Sequence, residues 1–418
     1  MHLGPHILLG LALILVVAKL MGELAERLGQ PAVLGELLGG VALGNLDLLG
    51  WRWFERFTAE PVLGGLAELG VILLLFEVGL ESDLGKMARV GLSAAGVAVI
   101  GVILPVALGF GVHWLLVPDA TWHVHLFIGA VLAATSVGIT ARVLRDLGRI
   151  DSPTARVILG AAVIDDVIGL VVLAVVVGIV QAADGGRSMG GWEVARIALL
   201  AVGFLAGAAL MGGPASRILF RAVAYLQIRG VLLAAALAFC FAMAYLSSLV
   251  GLHPIVGAFA AGLVLEEVTC RDLATRDEQG LEVQLRPITS FLVPVFFVAT
   301  GALVDLAALS GGVLLLAACL TVVAILGKQA CALAAFGPGV DRLSVGLGMI
   351  PRGEVGLIFA NVGTTVTLGG VAVVSAPSYA AAVIMVMVTT LVTPPLLAWS
   401  LHRGEATSPP PHGKSGTR

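Results

Sequence analysis

The sequence predicts an all-α membrane protein that crosses the bilayer many times. Of its 418 residues, 59% are hydrophobic and only 12% are charged, and the mean hydropathy is +1.04. Soluble domains carry about 25% charged residues. The 54 glycines fit closely packed or interrupted membrane helices, whereas the strands of a membrane barrel would show alternating polarity. The chain is therefore expected to be a polytopic helical protein rather than a soluble domain or a β-barrel.

Thirteen apolar stretches follow one another along the chain and are the candidate membrane helices. A helix of about 20 residues covers the roughly 30 Å of hydrocarbon in a bilayer. The second and ninth stretches are short, so we expect them to be tilted, interrupted or buried in protein. The stretches cover about residues 6–26, 31–48, 62–80, 90–117, 122–146, 153–181, 192–222, 230–250, 254–267, 286–306, 312–336, 342–368 and 378–402.

The basic residues are distributed unevenly over the two sides that thirteen crossings define. Seventeen Lys and Arg residues lie in loops after odd-numbered stretches or in the C-terminal tail, against four on the other side. Because basic loops stay on the cytoplasmic side, we expect the N-terminus outside and the C-terminus in the cytoplasm, in a bacterial inner membrane. The tail, residues 403–418, is rich in Pro, Ser and Gly and is predicted to be disordered.

Two adjacent acids, Asp165 and Asp166, lie in the middle of the sixth stretch, where the other residues of 157–180 are apolar or Gly. A charged carboxylate near the bilayer midplane costs about 2.5 kcal/mol or more. Burial and a nearby like charge both favour a protonated acid, so a proton and a metal cation can compete for such a group. Consecutive helical residues point about 100° apart, so the two acids should have different neighbours. A purely structural acid pair is the alternative, although two uncompensated acids make a poor structural device.

The fifth stretch contains AATSVGIT, in which Thr135 and Ser136 are flanked by small residues. Hydroxyls and a Gly at this depth fit an interrupted helix whose freed carbonyls face a cavity. They fit equally well a Ser/Thr pair that bonds within its own helix or to a neighbouring helix.

The twelfth stretch contains GMIPRGEVGLIFANVG. Pro351 removes a backbone donor and Gly353 loosens the helix, which predicts an interruption here. Arg352 and Glu354 would then lie at a disrupted turn, about as deep in the membrane as Ser136. An internal salt bridge in which these two charges merely neutralise each other is the alternative.

Lys328 lies in the eleventh stretch, about nine residues from the loop at Gly337. That distance is roughly 13 Å along a helix, which is longer than a lysine comfortably snorkels. A lysine buried at this depth is expected to pair with a carboxylate, for which Asp165 and Asp166 are the candidates. A snorkelling lysine, or one in a water-filled cavity, is the alternative.

Stretches one to six and eight to thirteen form two equal blocks around stretch seven. A six-helix block followed by one further crossing enters the membrane from the opposite side, so the second block is inverted relative to the first. The two predicted interruptions occupy the fifth position of their blocks. Because transporters with this arrangement bind ions at the repeat interface, the correspondence predicts a site there that binds and releases small cations.

Seven motifs together resemble the monovalent cation:proton antiporter-2 family, particularly the NapA-type sodium/proton antiporters. In order between Gln30 and about Ile358, they are QPAVLGELLGGVALG, LLLFEVGLE, ATSVGITARVL, GAAVIDDVIGL, VPVFFVATGALVDL, ILGK and MIPRGEVGLI. The resemblance therefore covers nearly the whole chain. One departure is Asn45, which stands where the family usually has Pro.

The resemblance implies a homodimer in membrane lipid, with a fixed dimerisation panel and a mobile ion-transporting core. The panel would comprise residues 1–85 and 230–307, the core residues 86–190 and 308–402, and the linker helix residues 191–229. The core is expected to carry the ion across the membrane in an elevator-type movement. Neither a cofactor, an enzymatic reaction nor a nucleic-acid partner is implied.

The resemblance also implies roles for individual residues. Asp166 would be the main cation- and proton-binding carboxylate and the transient ligand of Na+, whereas Asp165 would pair with Lys328. The family's crossing region corresponds to Thr135, Ser136, Arg352 and Glu354, the first two in the cation site and the last two in its support.

An acid pair with a lysine resembles the electrogenic members of the family, which exchange two protons for one sodium. The predicted function is therefore Na+ (or Li+)/H+ antiport. A K+/H+ antiporter or a Kef-like K+ efflux transporter is the alternative, although Kef-like relatives typically have Gln-Asp at Asp165–Asp166 and a nucleotide-binding domain, for which the tail is too short. A passive channel stays open, whereas an intramembrane aspartyl protease is disfavoured because no GxGD motif occurs.

Overall fold

The structure, a computed structural model, describes residues 5–49, 60–81, 91–185, 191–224, 230–268 and 281–406. Fifteen α-helices lie in these ranges, and eight of them are long and apolar enough to cross a membrane. The chain is thus a polytopic helical membrane protein, as its composition predicts.

Eight helices form the first half of the described chain. They are α1 (Pro5–Arg27), α2 (Ala32–Gly44), α3 (Pro61–Glu81), α4 (Leu92–Leu116), α5 (Trp122–Val131), α6 (Val137–Asp146), α7 (Pro153–Asp184) and α8 (Gly191–Ala224). With thirteen residues, α2 is too short to cross the membrane on its own. A 3-10 helix (Leu46–Leu49) follows it.

Seven helices form the second half. They are α9 (Val231–Leu249), α10 (Pro254–Val268), α11 (Leu281–Ala302), α12 (Gly311–Ala330), α13 (Arg342–Gly348), α14 (Glu354–Thr365) and α15 (Ala376–Ala406). A 3-10 helix (Cys331–Ala334) follows α12. Between α14 and α15, β1 (Thr367–Leu368) pairs antiparallel with β2 (Val371–Ala372), with Thr367 opposite Ala372.

Some of the predicted segments differ from the structure or fall outside it. The helix of the tenth stretch begins at Leu281, five residues before the predicted 286. The first residues of the predicted tail belong to α15, which continues to Ala406. Residues 407–418 lie outside the described residues, as do the loop charges Arg52, Arg56, Lys86, Arg89, Arg187, Arg229, Arg271, Arg276, Lys414 and Arg418.

Small residues allow α3 and α10 to pack closely. A Cβ atom on Gly79 would lie 2.3 Å from the carbonyl oxygen of Phe259, and one on Gly262 would lie 2.1 Å from that of Phe76. No side chain fits at such distances, so each helix needs Gly where it crosses the other. This is the close packing that small residues permit between membrane helices.

The pair α2 and α11 repeats this arrangement. A Cβ atom on Gly40 would lie 2.2 Å from the carbonyl oxygen of Val298, and one on Gly301 would lie 2.2 Å from that of Leu37. Both helix pairs are therefore held by two glycines, one from each partner.

Asn45 fixes the end of α2 to the segment that follows α11. Its Nδ2 donates to the carbonyl oxygens of Val304, at 2.7 Å, and Val41, at 2.8 Å. Its Oδ1 accepts a hydrogen bond from the Leu306 backbone N–H, at 2.7 Å. The residue that departs from the family pattern is thus a bridge between two chain segments, which a proline side chain could not form.

The described helices pack mainly in two sets. The first set contains α1, α2, α3, α9, α10 and α11, and the second contains α4, α5, α7, α12 and α15. α8 packs against α7 of the second set and against α10 of the first. One continuous cluster of buried apolar side chains, which includes Phe76, Phe127, Phe259 and Phe359, extends across both sets.

Candidate ion-binding site

The fifth and twelfth apolar stretches are each interrupted, and the interruptions cross. Residues 132–136 separate α5 from α6, and residues 349–353 separate α13 from α14. Ser136 N–H donates to the carbonyl oxygen of Pro351, at 2.8 Å, which joins the two linkers directly. Both interruptions expected from the sequence are therefore present, and they meet in space.

Two threonines strengthen the crossing. Thr140 Oγ1 donates to the carbonyl oxygen of Gly348, at 2.6 Å, and Thr135 Oγ1 donates to that of Met349, at 3.4 Å. These carbonyls belong to the end of α13, whose last backbone acceptors have no partner within their own helix. The hydroxyls thus bond across the crossing rather than within their own helix.

Arg352 connects the C-terminal ends of both half-helices. Its side chain is fully buried; one terminal nitrogen donates to the carbonyl oxygen of Ile350 and the other to that of Leu132, each at 2.8 Å. Leu132 follows α5 and Ile350 follows α13, and the C-terminal end of each helix carries about half a negative charge. The guanidinium therefore compensates two helix ends at once.

Glu354 lies at the opposite, N-terminal end of a half-helix. It is the first residue of α14, and its Oε2 accepts a hydrogen bond from Ser136 Oγ at 3.2 Å. A carboxylate is favoured at a helix N-terminus. The alternative of an internal salt bridge between Arg352 and Glu354 is wrong, because among the described residues the two side chains bind different partners.

Gly353 allows the two linkers to approach. A Cβ atom at this position would lie 2.7 Å from Ser136 Oγ. The close approach of the two linkers therefore requires glycine at this position. A larger residue here would push Ser136 away from Glu354.

Beside the crossing, α7 presents Asp165 to Lys328 of α12. Lys328 Nζ lies 2.8 Å from Asp165 Oδ1, and both side chains are fully buried. Gly101 of α4 leaves room for this ion pair, since a Cβ atom there would lie 3.6 Å from Nζ and 3.7 Å from Oδ1. Lysine is thus compensated inside the protein instead of snorkelling to the surface.

Asp166 has a different environment from Asp165. Its side chain is only partly buried, and its Oδ1 is buried without a hydrogen-bond partner within the described part of the chain. Electrostatic repulsion acts on it from Asp165 and Glu354. Asp165 also has one oxygen, Oδ2, that is buried without such a partner, but its Oδ1 is paired with Lys328, whereas Lys328 attracts Asp166 only from a distance.

The structure brings together most of the predicted site residues, but in two groups. Thr135 interacts with Asp165, which links the crossing to the ion pair. Ser136 instead lies with Glu354 on the other side of the linker. Thr390 of α15, which has no distinguishing sequence signal, also belongs to the site because its hydroxyl donates to the carbonyl oxygen of Arg352.

A cavity of about 250 Å³ reaches the crossing from the N-terminal end of α2. Its lining comes from α2, from the crossing and from α6, α14 and α15. The lining includes Pro31, Leu34, Ser136, Arg142, Glu354 and Thr390.

A second cavity, of about 430 Å³, lies at the other end of α14. It opens beside the N-terminal end of α3 and the C-terminal end of α14, whereas the first cavity lies at the N-terminal end of α14. The lining includes Glu68, His253, Thr300, Asn361, Thr364 and Thr365. The two cavities thus approach the crossing from opposite sides, between the first and second helix sets.

Interrupted helices that cross beside buried acids are the architecture of a secondary ion transporter. The sequence pattern of the family described as sodium/hydrogen exchanger, transmembrane, matches residues 12–402. The chain belongs to this family of monovalent cation:proton antiporters, which are transporters rather than enzymes. The resemblance noted in the sequence is thereby confirmed.

Individual relatives match almost the whole chain. The high-affinity Na+/H+ antiporter NhaS3 of Synechocystis is 39% identical, over 95% of this chain and 91% of its own length. The Na+/H+-K+ antiporter GerN of Bacillus cereus is 35% identical, over 93% and 95%. The Na+/H+ antiporter of Enterococcus hirae is 30% identical, over 93% and 96%.

A solved structure shares the fold. The sodium proton antiporter MjNhaP1 of Methanocaldococcus jannaschii superimposes with a TM-score of 0.69 at 19% sequence identity, over 96% of this chain and 99% of that one. At this identity the likeness concerns the arrangement of helices alone.

Proposed function

We propose that the protein exchanges Na+ for H+ across the bacterial inner membrane, with Asp166 binding either the cation or a proton. The observation that carries this proposal is the environment of Asp166, whose Oδ1 is buried beside the helix crossing with no hydrogen-bond partner among the described residues. Li+, which resembles Na+ in charge and size, is the expected second substrate. The names of the relatives from Synechocystis and Enterococcus hirae support Na+ as the transported cation.

The ion pair between Lys328 and Asp165 is proposed to respond to the cation. Lys328 Nζ lies 2.8 Å from Asp165 Oδ1, and we assign this pairing to the protein without a bound cation. A cation at Asp166 repels the Lys328 ammonium and attracts the Asp165 carboxylate, so its entry favours opening of the pair and loss of a proton. With Asp166 as the second titratable group, two protons would be exchanged for one sodium, which makes transport electrogenic.

Thirteen membrane crossings follow if α5 with α6, and α13 with α14, each form one interrupted crossing. Two inverted six-helix repeats are supported by matched packing contacts. By position in their blocks, α2 corresponds to α10, α3 to α11, α4 to α12 and α7 to α15. The contact between α3 and α10 therefore corresponds to the contact between α11 and α2, and the contact between α4 and α7 corresponds to that between α12 and α15. Both interruptions occupy corresponding positions in the two blocks, as inverted repeats require.

The first helix set is proposed to be the dimerisation panel and the second, with the crossing, the ion-transporting core. α8 is the linker that contacts both. Movement of the core along the panel would open the cavity beside α2 and the cavity beside α3 in turn. This elevator-type movement in a homodimer would expose Asp166 to one side of the membrane at a time.

The basic loop residues support an orientation with the N-terminus outside and the C-terminus in the cytoplasm. In this orientation the cavity at Pro31 and Arg142 opens to the cytoplasm, and the cavity at Glu68 and His253 lies toward the outside. Cysteine labelling in intact cells of Asp151→Cys and Asp305→Cys, which both replace exposed residues, tests this. Asp305→Cys is expected to react with a membrane-impermeant reagent and Asp151→Cys is not; the reverse result would contradict the orientation.

Transport in proteoliposomes with a pH-sensitive dye tests the exchange itself. Addition of Na+ or Li+ is expected to release protons from the loaded vesicles, and Asp166→Asn should reduce this signal to that of empty vesicles. Asp151→Asn is the matched control, since Asp151 is an exposed acid just before the same helix. Absence of proton movement with Na+, Li+ and K+ alike would contradict antiport, whereas a response to K+ alone would support the K+/H+ alternative.

Lys328→Gln tests the proposed stoichiometry. If Lys328 contributes the second proton, the variant should exchange one proton for one sodium, and an imposed membrane potential should no longer change its rate. The same potential should change the rate of the native protein. An unchanged response in the variant would dissociate the lysine from the second proton.

A further inference from the structure

Two buried histidines form a polar network at the end of the core that faces away from Lys328. His113 Nδ1 of α4 and His125 Nδ1 of α5 lie 2.7 Å apart, and both side chains are almost fully buried. His113 Nε2 lies 3.1 Å from Ser378 Oγ in the first turn of α15, and Ser375 Oγ donates to Ser378 Oγ at 3.1 Å. The network joins three core helices and is not part of the proposed ion path.

The hydrogen-bond partners determine where the ring hydrogens lie when both histidines are neutral. Two ring nitrogens at 2.7 Å need one hydrogen between them, since two acceptors or two N–H donors would repel each other. His125 also bonds to the backbone of Ala120, and because a carbonyl only accepts, His125 Nε2 carries the hydrogen. His113 Nδ1–H therefore donates to His125 Nδ1, and Ser378 Oγ–H donates to His113 Nε2.

This network has room for one additional proton. In the charged form, His125 donates from Nδ1 to His113 and from Nε2 to Ala120, while His113 carries its hydrogen on Nε2 and donates to Ser378 Oγ. Two contacts change donor: the Nδ1–Nδ1 contact, along which the hydrogen moves, and the contact with the Ser378 hydroxyl, which can rotate. A second proton would place N–H groups on both Nδ1 atoms at 2.7 Å, which the network cannot accommodate.

We infer that His113 and His125 together form a second proton-binding site of the core, which takes up a single proton and shares it between their Nδ1 atoms. His125 also lines a cavity of about 380 Å³ with Phe110, Trp114 and Trp122 at this end of the protein, which provides a route for the proton. This site is separate from Asp165 and Asp166.

Other charged groups lie farther from the pair. Gly101, an α4 residue beside Lys328 and Asp165, is twelve residues before His113, or about 18 Å along the helix. Among the described residues, His125 is the electrostatic partner of His113. The titratable or charged residues described on the surrounding elements are Asp119, His123, Asp184, Cys319 and Tyr379 toward the same end, and Arg156, Asp165, Asp166, Lys328, Cys331, Glu354, His402 and Arg403 toward the other.

The proton would affect a contact between the core and the panel. Tyr379, the neighbour of Ser378, donates its hydroxyl to the carbonyl oxygen of Thr300 in α11, at 2.8 Å. A positive charge near the first turn of α15 is unfavourable, because the N-terminus of a helix is itself positive. Protonation of the histidine pair should therefore weaken the packing of this turn and, with it, the Tyr379–Thr300 contact.

Nitrogen NMR of the purified full-length protein with 15N-labelled histidine tests the proton site without measuring transport. Between about pH 4 and pH 8, the ring signals of His113 and His125 are expected to move together in a single transition. In the protonated form, one hydrogen signal should correlate with both Nδ1 nuclei. His125→Asn should abolish the shared transition, and His123→Gln is the matched control, because His123 is on the same helix but stacks on Trp122.

Two independent transitions, each of which persists when the other histidine is replaced, would overturn the proposal. Two rings that do not titrate in this range would also overturn it. Retained binding of Na+ by His125→Asn, measured by a shift in melting temperature, shows that the variant is folded. The predicted effect on transport rests on the proposed antiport: His113→Gln should shift the pH profile of exchange and leave the Na+ concentration dependence unchanged.

Discussion

Lys328 Nζ lies 2.8 Å from Asp165 Oδ1, and neither side chain is exposed to solvent. The two residues come from α12 and α7, 163 positions apart in the chain. A buried charge is tolerated only when it is paired and hydrogen-bonded. Each member of this pair therefore depends on the other for its place in the protein.

Removal of one partner of this ion pair should destabilise the protein more than removal of both. Asp165→Asn leaves the Lys328 ammonium buried without a counter-charge, which is expected to cost about 3–5 kcal/mol of folding free energy. The double variant Asp165→Asn, Lys328→Gln should recover a large part of this loss. Thermal unfolding of all three variants in the same detergent measures the coupling between the two residues.

The exposed pair Glu23 and Arg27 is the matched control. Its side chains are 58% and 74% exposed, and the nitrogen–oxygen distance is 2.9 Å. Exposed ion pairs contribute little to stability, so Glu23→Gln should leave the melting temperature nearly unchanged. Equal losses in Asp165→Asn and in the double variant would contradict the proposed dependence.

Arg352 should not be replaceable by lysine. Two separate nitrogens of its guanidinium bind the carbonyls of Leu132 and Ile350, whereas an ammonium presents its donors from a single atom. Arg352→Lys is expected to lose about 1–3 kcal/mol of stability through one unsatisfied carbonyl, and Arg352→Leu should lose more. Melting temperatures with and without Na+ check this, and a lysine variant as stable as the native protein would contradict it.

The interruptions were predictable from local chemistry, but their partners were not. Pro351 lacks a backbone N–H, and the neighbouring Gly353 favours a break on its own. The bond from Arg352 to Leu132, in contrast, joins residues 220 positions apart, and nothing in the sequence specifies it. The sequence left open an internal salt bridge between Arg352 and Glu354 as the alternative, although residues two positions apart on a helix do not face each other.

The assignment of Lys328 shows a similar limit. Its depth in an apolar stretch required a buried carboxylate, yet spacing alone did not distinguish Asp165 from Asp166. The distinction depends on the rotation of α7 against α4 and α12, which tertiary packing decides. Only the family resemblance favoured Asp165, and this is the residue that Lys328 contacts. The cation-binding role of Asp166 stays a prediction.

A methyl group at Gly353 should disturb the crossing, whereas one at Gly138 should not. Gly353→Ala would place Cβ 2.7 Å from Ser136 Oγ, while no atom lies within 4 Å of a Cβ at Gly138. Both glycines line the cavity beside α2, which makes them a matched pair. We expect Gly353→Ala to lose exchange activity and stability, and Gly138→Ala to gain up to about 1 kcal/mol, because Ala favours a helix over Gly.

Vesicle transport and thermal unfolding of the two glycine variants distinguish crowding at Ser136 from a general effect on the cavity. If both variants lose activity to the same extent, the contact between Gly353 and Ser136 is not the cause. The double variant Gly353→Ala, Ser136→Gly removes both atoms that the new Cβ would meet, Ser136 Oγ at 2.7 Å and Ser136 Cβ at 2.8 Å. It should therefore recover stability relative to Gly353→Ala alone.

His253, in the segment between α9 and α10, should make stability depend on pH. Burial lowers the pKa of His253 from 6.5 to about 4, and its Nδ1 has no partner among the described residues. Between these two values the unfolded chain binds a proton that the folded protein does not, so stability falls as the pH decreases from 6.5 toward 4 and is fully present above that range. The contribution is up to about 3 kcal/mol.

Melting temperatures of His253→Gln between these pH values check this contribution. Since glutamine does not titrate, the variant should lose less stability on acidification than the native protein. Asn361→Gln changes a residue that does not titrate in the same cavity; it is the control and should keep the native slope. If His253→Gln and the native protein show the same slope, His253 is solvated in the folded protein, and the cavity that it lines with Glu68 and Thr300 admits water to its ring.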